Sequence, residues 1–143
     1  MFGPQLPNTV SVTGFTWARQ AGRNILYLGT TNGIYRKNLD MNEEWKFLAQ
    51  TSGLIVSDLA TDPLCRDRVY AGLGLAVPFG VQAGGVITTI GNGQSWALTT
   101  AGYDVDLLPV SDVDIFSDGT TRTLYVATYG RGVWSAALGA GCN

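Results

Sequence analysis

A threefold internal repeat narrows the folds open to this chain more than any other feature. "LYVATYGRGVWSAAL", beginning at Leu124, aligns with "LYLGTTNGIYRKNL", Leu26 to Leu39. Both read apolar-Tyr-apolar-small-Thr, then a turn, then glycine, an aliphatic residue and an aromatic one. A third copy, "VYAGLG" from Val69 to Gly74, resumes as "GGVITTIG" from Gly84 to Gly91, after the insertion "LAVPFGVQA" from Leu75 to Ala83. The segments ahead of these motifs match as well. "VTGFTWARQAG", "VSDLATDP" and "VSDVDIFSDG" start at Val12, Val56 and Val110, which lie 15, 14 and 15 residues before Tyr27, Tyr70 and Tyr125. Behind the first two copies come "EEWKFLAQTSGL" from Glu43 and "GQSWALTTAGY" from Gly93.

Each repeat predicts four short strands in about 40 to 55 residues, the pattern of a propeller blade. The expected fold is all-β: β-propeller blades of four antiparallel strands, about three blades in one partial domain spanning 1–143. Blade 1 is expected at about 11–50, blade 2 at about 55–100 and blade 3 at about 109–139. The third repeat has only three strands of its own, and the N-terminal run 1–10 is placed to complete it. Phe2 stands 10 residues before Val12, against 11 from Trp45 to Val56 and 14 from Trp96 to Val110. "TTNG" and "YGRG" read as hairpin turns between second and third strands, with glycine supplying positive φ. Arg131, carried on one of these turns, is a candidate ligand contact at the rim.

Charge excludes one class of partner. Nine Lys+Arg against 11 Asp+Glu, with no histidine, give a net charge of -2. Such a surface has no basic stripe to follow phosphates, so nucleic acid is not an expected partner. No apolar run approaches the ~20 residues of a membrane helix, so no transmembrane segment is expected. The opening "MFGPQLPNTV" lacks the charged flank and apolar stretch of a signal peptide, and the expectation is a chain whose leader has been removed.

Two cysteines, Cys65 and Cys142, form no CxxC pair. Without histidine the usual Cys/His zinc site is excluded, and neither metal nor cofactor is expected. One reading is a disulfide tying the C-terminal tail to the interior, in an oxidising compartment. The other is two buried thiols.

With the turns after the third strands aligned, the chain resembles the Asp-box (BNR) propeller superfamily. That group includes sialidases, sortilin-type receptor domains, xyloglucan-cleaving glycosidases and a photosystem assembly factor. Its box runs Ser-x-Asp-x-Gly-x-Thr-Trp between the third and fourth strands. "NLDMNEEW" keeps Asp40 and Trp45, while "TIGNGQSW" keeps Gly93, Ser95 and Trp96. Asn42 and Glu44 replace the box's glycine and threonine in the first, and Gly91 replaces its aspartate in the second. The resemblance implies a structural role for Asp40, Trp45, Gly93 and Trp96, with the carboxylate capping turn amides and the tryptophan packing between sheets.

No enzyme is expected. Among Arg19, Arg23, Arg36, Arg66, Arg68, Arg122 and Arg131, none fits the arginine triad that sialidase members use. Asp58, Asp104, Asp106, Asp112 and Asp114 are the candidate acids. Asp58 and Asp112 occupy one repeat position, which a repeat role explains more simply than catalysis. Without histidine the usual serine triad is excluded.

Three blades are too few for a ring, which takes about four to eight, and open ends leave apolar sheet faces in water. The expectation is therefore a non-catalytic extracellular or cell-surface module acting by protein-protein contact or self-assembly, as a ring or filament subunit. The expected partner is a further copy of itself or another protein chain. Candidate contact loops are the insertion, with Leu75, Val77, Pro78 and Phe79, and the segment holding Leu107 and Leu108. An insertion folded back over its own blade is the competing reading. The alternatives in function are a carbohydrate-binding module, with Tyr35, Tyr129, Arg131 and Trp134 as a sugar platform between blades, or a fragment of a glycoside hydrolase.

Overall fold

The computed structural model describes residues 6, 10–74, 84–99 and 108–142. The insertion residues Leu75, Val77, Pro78 and Phe79, together with Leu107, Asp104, Asp106 and most of the N-terminal run, lie outside the described residues.

The described chain is all-β, in three antiparallel sheets of four, four and three strands. β1 (Val12–Gln20), β2 (Arg23–Thr30), β3 (Gly33–Asn38) and β4 (Lys46–Phe47) form the first sheet in chain order. β5 (Val56–Thr61), β6 (Arg68–Leu73), β7 (Val86–Ile90) and β8 (Ala97–Thr99) form the second. β9 (Val110–Ser117), β10 (Arg122–Thr128) and β11 (Val133–Gly139) form the third. The one helical element among the described residues is a 3-10 turn, Ala49–Thr51. The sheets are blade-like meanders, and the described residues close no ring.

Local chemistry explains the hairpins. In the β2–β3 turn the Thr30 hydroxyl donates to the Gly33 carbonyl at 2.8 Å and accepts the Asn32 N–H at 3.0 Å. Gly33 has φ of 86°, and a Cβ there would stand 2.7 Å from the Thr51 carbonyl, so both backbone angle and space demand glycine.

The sheets stack through their first strands, β1 against β5 and β5 against β9. Because side chains alternate across a strand, the second sheet feeds two separate cores. Leu59, Val69, Ala71 and Ile87 face the first sheet and pack with Ala18, Ile25, Tyr27 and Ile34. Ala60, Tyr70 and Val86 face the third and pack with Val110, Val113, Leu124 and Val126. The backbones approach closely at both junctions. A Cβ on Gly29 would lie 2.6 Å from Val56 Cγ1, and one on Gly72 would lie 2.6 Å from Val110 Cγ1. These glycines occupy the same repeat position, and so do the valines.

Candidate functional site

Aligning the three sheets by register separates positions that another sheet covers from positions that none covers among the described residues. On the face turned toward a preceding sheet, Val56 and Val110 are buried, whereas Val12 in the same position is 51% exposed. Leu59 and Val113 are buried one step along, and their counterpart Phe15 is 70% exposed. On the face turned toward a following sheet, Tyr27 and Tyr70 are buried while Tyr125 is 43% exposed. Ile34 and Val86 are buried there too, and Val133 is 69% exposed. Register fixes these as faces rather than scattered residues. Phe15, Leu28 and Tyr35 stand in one cross-strand row of the first sheet, with Phe47 beyond them. Trp17, Leu26 and Lys37 form the next row. In the third sheet the rows are Phe116, Thr123 and Ala137, then Asp114, Tyr125 and Ser135, then Asp112, Ala127 and Val133.

The turn residues after the third strands divide along the same line. Trp96 is buried edge-on against Tyr27, with ring centroids 6.2 Å apart, and its indole N–H donates to the Gly93 carbonyl at 2.8 Å. The Tyr27 hydroxyl donates to Gln20 Oε1 at 2.6 Å, and burial raises its pKa. Trp45, at the matching turn of the first sheet, is half-buried beneath the Lys37 ammonium, 5.7 Å from the ring centroid. Asp40 accepts the backbone N–H of Asn24 at 2.7 Å and its side-chain amide at 3.0 Å. It thus ties the end of β3 to the start of β2 instead of capping its own turn, and these bonds lower its pKa.

The residues proposed as a sugar platform are spread over different sheets. Tyr35 lies in β3, buried against Phe47 at 5.0 Å. Tyr129 and Arg131 are exposed on the β10–β11 turn. Trp134 packs against the second core. Leu108 is half-buried, and its carbonyl accepts the Gly85 N–H at 2.9 Å.

A polar lock joins the second and third sheets. Arg122 donates from Nη1 to the Asp62 carboxylate and to Cys65 Sγ at 3.0 Å, and from Nη2 to the carbonyls of Leu138 at 2.9 Å and Gly141 at 2.5 Å. The other Asp62 oxygen accepts the N–H groups of Leu64 at 3.0 Å and Cys65 at 3.1 Å. Cys65 and Cys142 are joined as a disulfide, with Cα atoms 5.4 Å apart. The last described residues are therefore held against the β5–β6 connection. Sequence reasoning named Arg122 without giving it this partner.

Asp58 and Asp112 meet between β5 and β9. Burial, then the hydrogen bond with Asp112, pushes the Asp58 carboxyl up to about 6, while the Val113 N–H donating to it at 3.1 Å works in the opposite direction. Among the described residues, no group of three or more acids and cysteines is arranged to hold a metal ion. An open polar depression lined by Thr16, Trp17, Thr61, Asp62, Pro63 and Arg66 lies at the junction of the first two sheets. The Arg66 guanidinium stands 5.2 Å from the Trp17 ring centroid at its rim.

No protein-family model and no curated protein matches this chain.

Proposed function

We propose that this chain is a non-catalytic contact module whose sheets are blades of an Asp-box type β-propeller, working outside the cell or at its surface. Its task is to join protein chains through the two end faces of its stack, as a subunit of a ring or filament. One observation carries this reading: positions buried between sheets inside the stack are apolar and exposed at both ends. Fully burying a Val or Phe side chain is worth about 1.5–3 kcal/mol relative to water. The rows around Phe15 and Tyr125 therefore give a strong incentive for a further sheet to pack on each end. The disulfide supports an oxidising location.

Sedimentation equilibrium of the purified oxidised chain tests the reading. The expected result is a concentration-dependent mass above the 15.2 kDa of one chain, reduced to that value by Phe15→Glu with Val133→Glu. A wild-type mass of one chain at every concentration measured overturns it.

A further inference from the structure

We infer that each end face is built for the opposite end face of a second copy of this chain, so that copies join head to tail with the third sheet of one stacked on the first sheet of the next. This rests on the contact reading above and adds the partner and its register. The two junctions inside the chain are already heterologous contacts of one kind, a following face on a preceding face. Carrying that operation one step further brings Tyr125, Ala127 and Val133 onto Val12, Phe15 and Trp17 of another copy.

Three internal contacts give the register. Trp96 of the second sheet meets Tyr27 of the first edge-on at 6.2 Å. The equivalent pair across the new junction is Trp45 with Tyr125, both of which lack a sheet over them among the described residues. Gly29 meets Val56, and Gly72 meets Val110. The equivalent pair is Ala127 with Val12. The Thr16 and Thr61 hydroxyls stand 2.8 Å apart across the first junction. The equivalent pair is Asp114 with Trp17, which sets a carboxylate against an indole N–H. Charge agrees with this direction. Asp114 lies in a row of the third sheet's end face, and Lys37 lies in one of the first.

The Ala127 methyl makes the third junction differ from the other two. Where the internal junctions have glycine, a Cβ would overlap the facing valine. Copies therefore meet with a slightly wider gap there, and the contact between chains is weaker than the contact between sheets within one chain. That is the arrangement needed for reversible assembly of stable subunits.

Two double variants at exposed positions test the direction of assembly. A head variant carries Val12→Glu and Phe15→Glu, and a tail variant carries Tyr125→Glu and Val133→Glu. Thermal unfolding of each, matched to wild type, shows that both remain folded. Each variant alone is expected to be monomeric by light scattering, while an equimolar mixture forms a dimer through the one intact head and the one intact tail. Wild type that assembles while either variant alone assembles equally well, or while the mixture stays monomeric, overturns head-to-tail pairing and leaves the contact reading standing. Wild type that stays monomeric removes both. Ala127→Gly placed in the head variant reads the register. Relieving the methyl overlap tightens the mixed dimer by roughly fivefold or more, and an unchanged or weaker dimer overturns the pairing of Ala127 with Val12.

Discussion

Arg122 and Asp62 face one another across the junction of the second and third sheets, with both side chains shut off from solvent. Sixty residues of sequence separate them. The guanidinium serves Asp62, Cys65 and the carbonyls of the last described turn at once, so it organises the chain end as well as neutralising an acid. Removing it leaves a buried carboxylate without its countercharge, a loss of about 3–5 kcal/mol. Arg122→Leu is therefore expected to lower the urea midpoint sharply, and Asp62→Asn added to it restores part of the loss by removing the stranded charge. An Arg122→Leu chain as stable as wild type would mean that water reaches Asp62.

The disulfide acts on the same junction by a different route. It closes a loop with a sequence separation of 77 residues, and closing a long loop stabilises mainly by restricting the unfolded chain, typically by 2–4 kcal/mol, ~3 as a working figure. Cys142→Ser, or reduction, should lower the melting temperature and speed amide exchange in β9–β11, leaving β1–β4 largely protected because the link spans only the second and third sheets. Arg122 donates to Cys65 Sγ, so losses from Cys142→Ser and Arg122→Leu should not add in a double-mutant cycle. Additive losses, or uniform exchange across all three sheets, would refute this coupling.

The repeat was legible because a meander is local: each strand pairs with the next, and turn glycines mark the joins. The columns headed by Val12, Val56 and Val110, and by Tyr27, Tyr70 and Tyr125, were visible in the sequence. What they could not show was which column members lie at an end of the stack. Phe15 and Val133 look like core residues and are exposed for want of a neighbouring sheet among the described residues. The loops singled out for contact drew attention by being irregular, yet the faces follow from regularity itself. Trp45 and Trp96 make the same point, since matching turn positions differ in burial where the sheet before the second receives Trp96. Arg122 was hidden for another reason. Its repeat counterparts, Asn24 and Asp67, give that column no common chemistry, and nothing local ties it to Asp62. Asp40 stands in the turn after β3 where the repeat places it, and the pairing of Ile25 with Asn38 brings the Asn24 N–H within its reach, a cross-strand partner that the repeat alone does not name.

The Asp58–Asp112 pair makes the junction of β5 and β9 sensitive to pH, and the sign follows from the direction of the shift. The folded state holds a proton up to about pH 6 on Asp58, whereas an unfolded aspartate releases it near pH 4 (about 3.9). The folded chain thus binds more protons than the unfolded chain between those values, and stability from this group falls as pH rises through the interval. It is fully present below about pH 4 and lost above about pH 6. Solvent reaches roughly half of the group, so the expected loss is on the order of 1 kcal/mol after screening. Asp118 works in the opposite direction in a separate window. The N–H groups of Thr121 and Thr120 hold it down to about 2, so its contribution is present above the unfolded value and lost as pH falls toward 2. Asp58→Asn keeps an acceptor for the Val113 N–H and offers Asp112 an amide donor. It should flatten the decline between pH 4 and 6.5 (~2.5 pH units) and raise the melting temperature at neutral pH, with Asp112→Asn acting in the same direction because it removes a carboxyl that raises Asp58. If Asp58→Asn retains the wild-type slope in that window, Asp58 does not carry the proton and the junction owes its pH response to other groups.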